Sequence, residues 1–185
     1  SCGGQFTANT MACVSEAIGL ALPGSAGAPA SFKSRDKVVR EAGAGVMHCL
    51  AKNIRPRDVV TRESLDNAAK IVAATGGSTN AALHLPAIAH EAGIKYTLDD
   101  VTKIFKSTPY IADLMPGGKY TATDMYRVGG APVVIKELLN AGLLNADCMT
   151  VTGKTLGQNH RSIKFPKNQD VIYRVKDAIT PTGGV

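Results

Sequence analysis

The chain has 185 residues, 44% of them hydrophobic and 5% aromatic, with no tryptophan and a formal charge of +6. Such a length holds one domain, or one domain with a piece of a second, around a core of Ala, Val, Ile, Leu and Met. No run is long enough to span a membrane and none reads as a secretory leader. The Lys and Arg residues are scattered and have few aromatics beside them, so a solvated basic surface is expected, with neither nucleic acid nor membrane as a partner.

In chain order, the first helix is expected from Thr7 to about Leu22. Met11, Val14, Ile18 and Leu22 recur at helical spacing on one buried stripe, and Pro23-Gly24 stops it. A second helix covers "RDKVVREAGAGVMHCLAKN", with Val39, Ala42, Val46, Cys49 and Leu50 on one side. Its interior Gly43 and Gly45 weaken it, and close packing against a neighbour is the expected compensation. Thr61 caps "RESLDNAAKIVAAT", where Leu65, Ala68, Ala69 and Val72 form the apolar stripe. Gly76-Gly77 ends that helix, and Ser78 is placed to cap "TNAALHLPAIAHEAG", which Pro86 should kink and Gly93 closes.

Thr97 and Asp100 have the spacing of a capping box for a helix carrying Val101, Ile104 and Phe105 inward. "APVVIKELLNAG" is the last clear helix. "YIADL" reads as a short buried strand and "DVIYRV" as a strand with one wet face. The class is therefore helix-rich α/β, shifting toward β from about Lys164. Both ends look interrupted, since Cys2 has no scaffold before it and "ITPTGGV" is a turn with nothing after it.

The four cysteines, Cys2, Cys13, Cys49 and Cys148, show no C-x-x-C spacing. Neither a zinc ribbon nor a disulfide framework is indicated, and reduced thiols in a cytoplasmic protein are expected. Cys13 and Cys49 fall beside apolar helical stripes, where Cys acts as a small hydrophobe. Cys2-Gly3-Gly4 stands before a helix N-terminus, whose free N–H groups and dipole favour a thiolate. A nucleophile, a metal ligand and a small buried thiol in a glycine turn all suit that place.

"ATGGSTNAALHL" sets a double glycine before Ser78, Thr79 and Asn80 at a helix start. That is the chemistry of an anion-binding nest, or simply a C-terminal cap followed by an N-terminal one. It lacks the Lys of a P-loop and the G-x-G-x-x-G of a dinucleotide fold. His84 and His90 are six residues apart, too far for a metal pair on one helix face. His48, His160, Asp99, Asp100 and Asp113 carry no pattern that separates catalysis from structure.

Together, "SCGGQFTANTMACVSEAIGLALPGSA", "ATGGSTNAALHLPAIAHEAGI", "DLMPGGKY" and "PTGGV" resemble the dihydroxy-acid dehydratase family, which includes phosphogluconate and sugar-acid dehydratases. The resemblance runs the length of the chain. It implies residues 1–163 as part of an N-terminal iron–sulfur α/β domain and 164–185 as the start of a barrel-like second domain. It implies dehydration of a small 2,3-dihydroxy acid to a 2-keto acid in branched-chain amino-acid synthesis, by a homo-oligomeric enzyme. An iron–sulfur cluster, [2Fe–2S] or [4Fe–4S], would act as Lewis acid together with Mg²⁺.

By the same resemblance Cys2 is one of three cluster cysteines. The other two, the Mg²⁺ ligands and a catalytic serine belong to motifs this chain lacks, so the chain alone is expected to be inactive. Ser78, Thr79 and Asn80 are candidates for lining the site. Two competing expectations are a sugar-acid or phosphogluconate dehydratase of the same family, and a non-catalytic anion- or nucleotide-binding module built on the Gly-Gly-Ser-Thr turn.

Overall fold

A computed structural model of the protein describes residues 3–183. It contains nine α-helices among the described residues: α1 Thr7–Ile18, α2 Ser34–Lys52, α3 Pro56–Val59, α4 Arg62–Ala74, α5 Ala81–Ala92, α6 Leu98–Lys106, α7 Ala122–Arg127, α8 Ala131–Asn140 and α9 Leu156–His160. None of them is long and apolar enough to cross a membrane.

The centre of the fold is α4. Thr61 Oγ1 accepts the Ser64 N–H at 3.2 Å, and the Ser64 hydroxyl in turn accepts the Thr61 N–H at 2.9 Å, so the helix starts where the sequence places its cap. Leu65, Ala68, Ala69 and Ile71 are fully buried. Alanines on this face let α1 lie close along it, while α5, α6 and α8 pack around the rest. Val14, Ala17 and Ile18 of α1 enter the same core. Burying a side chain the size of Val14, Ile18, Leu65 or Ile71 stabilises the fold by about 1.5–3 kcal/mol.

Helix α6 is fastened to α4 through charge. The Asp100 carboxylate accepts from Thr97 N–H and from the Arg62 guanidinium (2.8 and 2.9 Å), and Arg62 lies 4.6 Å over the Tyr96 ring. Asp100, one of the candidate carboxylates, is thus a cap and an ion-pair partner. Arg62 and the cap hydrogen bonds hold its pKa well below the usual carboxylate range.

Four expectations are corrected. Helix α1 ends at Gly19, four residues before Pro23-Gly24, where the chain turns left-handed and Gly19 N–H reaches back to Ser15 and Glu16. Leu22 therefore lies outside the helix. Helix α2 forms as expected, but none of its residues is buried. Helix α5 starts at Ala81, two residues later than expected; Pro86 lies inside it as expected, with Leu85 and Ala89 fully buried beside it.

The fourth concerns β structure. Among the described residues there is no strand; "YIADL" and "DVIYRV" meet in one isolated bridge, Ala112 with Ile172, and Tyr110 bridges instead to Thr180 further along the chain. The Ile111 and Ala112 N–H groups turn instead to the Ala74 carbonyl at the end of α4, so no ladder extends. The expected β-rich beginning after Lys164 does not appear. Val171 and Ile172 enter the helical core, and Glu137 of α8 holds this segment through Arg174 (2.7 Å) and the Val175 N–H (3.0 Å).

Candidate functional site

Three of the motifs that stand far apart in the sequence meet at one end of the α1–α4 pair. The chain enters α1 through Gly3 and Gly4. The Gln5 N–H donates to the Met115 carbonyl at 2.6 Å, and a Cβ on Gly4 would sit 2.6 Å from that same oxygen. Only glycine allows this approach. Gln5 is buried, and its side-chain amide donates to Thr75 Oγ1 at 2.9 Å while its carbonyl accepts from Asn9 Nδ2. The Thr75 hydroxyl in turn donates a hydrogen bond to the Ile71 carbonyl at 2.7 Å. This buried relay fixes the start of α1 against the end of α4, and Asn9 Oδ1 within it has no partner.

The turn after α4 completes the site. Gly76 takes φ +58° with the Tyr110 ring packed against it, leaving 2.9 Å to a would-be Cβ. Ser78 N–H donates to Thr10 Oγ1 at 3.0 Å, Ser78 Oγ lies 3.0 Å from Thr7 Oγ1, and Asn80 Nδ2 donates to Thr7 Oγ1 at 2.7 Å. Ser78 does not cap α5 in the expected way. The helix starts from Asn80 with no side-chain cap, and Ser78 Oγ accepts the Asn80 N–H at 3.3 Å.

A cleft of about 580 Å³ opens here, bordered by Gln5, Phe6, Thr7, Gly76 to Thr79, Tyr110, Pro116 and Gly117. Of the three candidate residues, Ser78 and Thr79 border it, while Asn80 stands outside the border and acts on Thr7. Sequence reading missed Thr7, Gln5 and Tyr110. Thr7 sits inside a quoted motif, but nothing local marks it as the partner of residues some seventy positions later.

Chemically, the cleft offers hydroxyls, backbone amides and the uncapped first turn of α1. These suit a carboxylate or a polyhydroxyl ligand. Its bordering residues include no Asp, Glu, His, Lys or Arg. Partial burial raises the Tyr110 phenol above its ordinary pKa, so it stays protonated at neutral pH. This surface can bind and orient, but it carries no group that takes up a proton at neutral pH.

Cys2 lies outside the described residues; Gly4 is packed against Met115. The other thiols are elsewhere. Cys13 is buried in α1, where desolvation and the nearby Glu16 push it up to about 12. Cys49 donates to the Val151 carbonyl at 3.3 Å, and Cys148 is buried beside Asn67 Nδ2. Among the described residues no three His, Cys, Asp or Glu side chains converge as a metal site. Those residues do not by themselves fit an iron–sulfur cluster, which needs several thiolates in one place. His160 is buried with Nδ1 on the Leu156 carbonyl at 2.8 Å, and desolvation lowers its pKa. It serves the core.

Fold and site define a helical domain in which two glycine-led segments meet at a cleft bordered by hydroxyls and, among the described residues, by no charged side chain. The family model described as Dihydroxy-acid/6-phosphogluconate dehydratase N-terminal matches residues 1–159. The chain belongs to this family. It is 62% identical over 185 residues to a dihydroxy-acid dehydratase of Parvibaculum lavamentivorans and 64% identical to one of Pelagibacter ubique. With a more distant relative, the dihydroxy-acid dehydratase of Sulfolobus acidocaldarius, identity is 50% over 187 residues. Each match takes in the whole chain, which spans about a third of the length of these curated relatives (32%, 32% and 33%).

Proposed function

We propose that this chain is the part of a hydro-lyase that binds and orients a small 2,3-dihydroxy acid on its way to a 2-keto acid. The observation that carries the reading is the convergence of the Gln5–Thr7 and Gly76–Thr79 segments on one hydroxyl-bearing cleft, in a chain 50–64% identical to three proteins named dihydroxy-acid dehydratase. Thr7, Ser78 and Thr79 supply hydroxyls at the cleft, and Asn80 fixes the Thr7 hydroxyl by donating to it. Among the described residues no charged side chain borders the cleft, so a group outside this lining takes the proton removed from the substrate.

Cys2 is proposed as one ligand of an iron–sulfur cluster, [2Fe–2S] or [4Fe–4S], with its other ligands and those of Mg²⁺ outside this chain. Among the described residues no three His, Cys, Asp or Glu side chains converge to hold either by themselves. A cytoplasmic homo-oligomer serving branched-chain amino-acid synthesis completes the proposal, with residues 164–185 as the passage toward the rest of a longer protein.

Phosphogluconate shares the family description, yet a phosphate dianion needs cationic contacts, and no Lys or Arg borders the cleft. The same lack counts against a nucleotide-binding module. The full-length protein, reconstituted anaerobically with iron, sulfide and Mg²⁺, should form keto acid from a branched 2,3-dihydroxy acid far faster than from 6-phosphogluconate. A Cys2→Ser variant should lose both the cluster absorption and the activity. Keto-acid formation from neither substrate, or full activity in the Cys2→Ser variant, overturns the assignment.

A further inference from the structure

Among the residues bordering the candidate cleft, Tyr110 alone carries a phenol. Its backbone is fixed on both sides. The Tyr110 N–H donates to the Thr180 carbonyl at 3.0 Å, and the Tyr110 carbonyl accepts the Ile179 N–H at 2.9 Å. The ring lies against Gly76, where a Cβ would come within 2.9 Å of the ring and 3.3 Å of the phenol oxygen. A side chain held by its own backbone and by such a close neighbour loses little freedom when a ligand arrives.

The other polar side chains on this border are mostly engaged within the protein. Gln5 is bonded to Thr75 and Asn9, and the Thr7 and Ser78 hydroxyls are bonded to each other and to Asn80. Tyr110 differs. Elsewhere in the fold the Tyr120 and Tyr126 hydroxyls donate to Asp170 and Ser34 at 3.2 and 3.1 Å. Tyr110 has no such acceptor among the described residues, and the backbone group facing its oxygen is the Leu114 N–H, itself a donor. Its proton is left to an acceptor in the cleft. Burial keeps that proton in place at neutral pH, so the group stays a donor.

Thr79, on the same border, is exposed, and among the described residues its hydroxyl and N–H have no partner. Two neutral donors with no cation beside them suit a singly charged acceptor. A carboxylate accepts only, has two oxygens to offer, and makes the stronger, charge-assisted bond to each donor. A ligand hydroxyl would also need an acceptor for its own proton.

We infer that the Tyr110 phenol, with Thr79, receives the carboxylate of the substrate acid and sets this chain's affinity for it. The inference rests on the reading of the cleft as a dihydroxy-acid site.

The test uses the full-length protein, reconstituted as above, and Tyr110→Phe, which keeps the ring on Gly76 and removes only the hydroxyl. Cluster absorption and melting temperature should match the unsubstituted protein. KM for the branched 2,3-dihydroxy acid should rise about 10- to 100-fold, the loss expected for one hydrogen bond to a charged group, while kcat moves far less. Competitive inhibition by the matching 2-hydroxy acid should weaken by the same factor, and inhibition by the branched diol that lacks the carboxylate should not. Thr79→Val should raise KM by less, since its N–H remains. Tyr126→Phe, which loses only the bond to Ser34, should change none of these. Unchanged KM and inhibition in Tyr110→Phe, with turnover intact, overturn the role of Tyr110 alone. Equal weakening of acid and diol overturns the carboxylate as its acceptor. Failure of the unsubstituted protein to turn over the dihydroxy acid overturns the underlying reading as well.

Discussion

Glu16 is 2% exposed, and its carboxylate accepts the Gly24 and Ala26 N–H groups at 2.8 and 2.6 Å, clasping the loop that leads from α1 to α2. Desolvation pushes its pKa up from 4.5 to about 7, and the two N–H groups only partly offset that. A carboxyl raised in the folded state holds its proton more tightly there than when unfolded. Stability from this group is therefore fully present below pH 4.5, falls as pH rises, and is lost above about 7. The shift corresponds to about 3 kcal/mol across that window. Glu16→Gln is neutral throughout and removes the slope, while leaving one N–H without an oxygen at a cost of about 1–3 kcal/mol. Urea unfolding of both proteins at half-unit steps from pH 4.5 to 8 measures this. The variant should be the less stable at acid pH, and the difference should shrink or reverse by pH 8. Two parallel stability profiles would refute the reasoning.

Gly76→Ala should cost about 1–2 kcal/mol, since alanine disfavours φ +58° and meets the Tyr110 ring. In the full-length enzyme it should also raise KM, and an unchanged melting temperature would contradict the strain. Glu137→Ala should free the segment held through Arg174 and Val175, speeding trypsin cleavage at Arg174 and Lys176 by an order of magnitude or more. Unchanged digestion would show that the core contacts of Val171 and Ile172 hold it alone. Thiol labelling at pH 8 should leave Cys13 unreacted in the folded protein while Cys49, half-buried near the surface, reacts; rapid labelling of Cys13 would contradict its burial.

Helices α4 and α6 were legible because each couples a threonine cap to a serine or aspartate three residues on, with an apolar stripe at helical spacing behind it. Those signals are local, so neighbours along the chain suffice to read them. The β reading failed for the opposite reason. Alternation at 110–114 and 170–175 is real, but whether it becomes a ladder depends on which carbonyl each N–H finds, and Ala74 took two of them. For α2 the period was right and the destination was not. A repeat of apolar residues marks a face that wants covering, and cannot say that the same chain covers it.

The candidate site divides along the same line. Ser78, Thr79 and Asn80 could be marked from the sequence because a double glycine before small polar residues at a helix start has a local meaning. Resemblance across the whole chain likewise fixed the family. What the sequence by itself determined, then, were the helices, their caps and the family, all written in residues near one another or in motifs kept whole. Only the tertiary structure decided that Thr7 joins Ser78 and Asn80, and that Gly4 and Gly76 press against Met115 and Tyr110. Those outcomes depend on contacts between residues some thirty to more than a hundred positions apart, which no local pattern encodes.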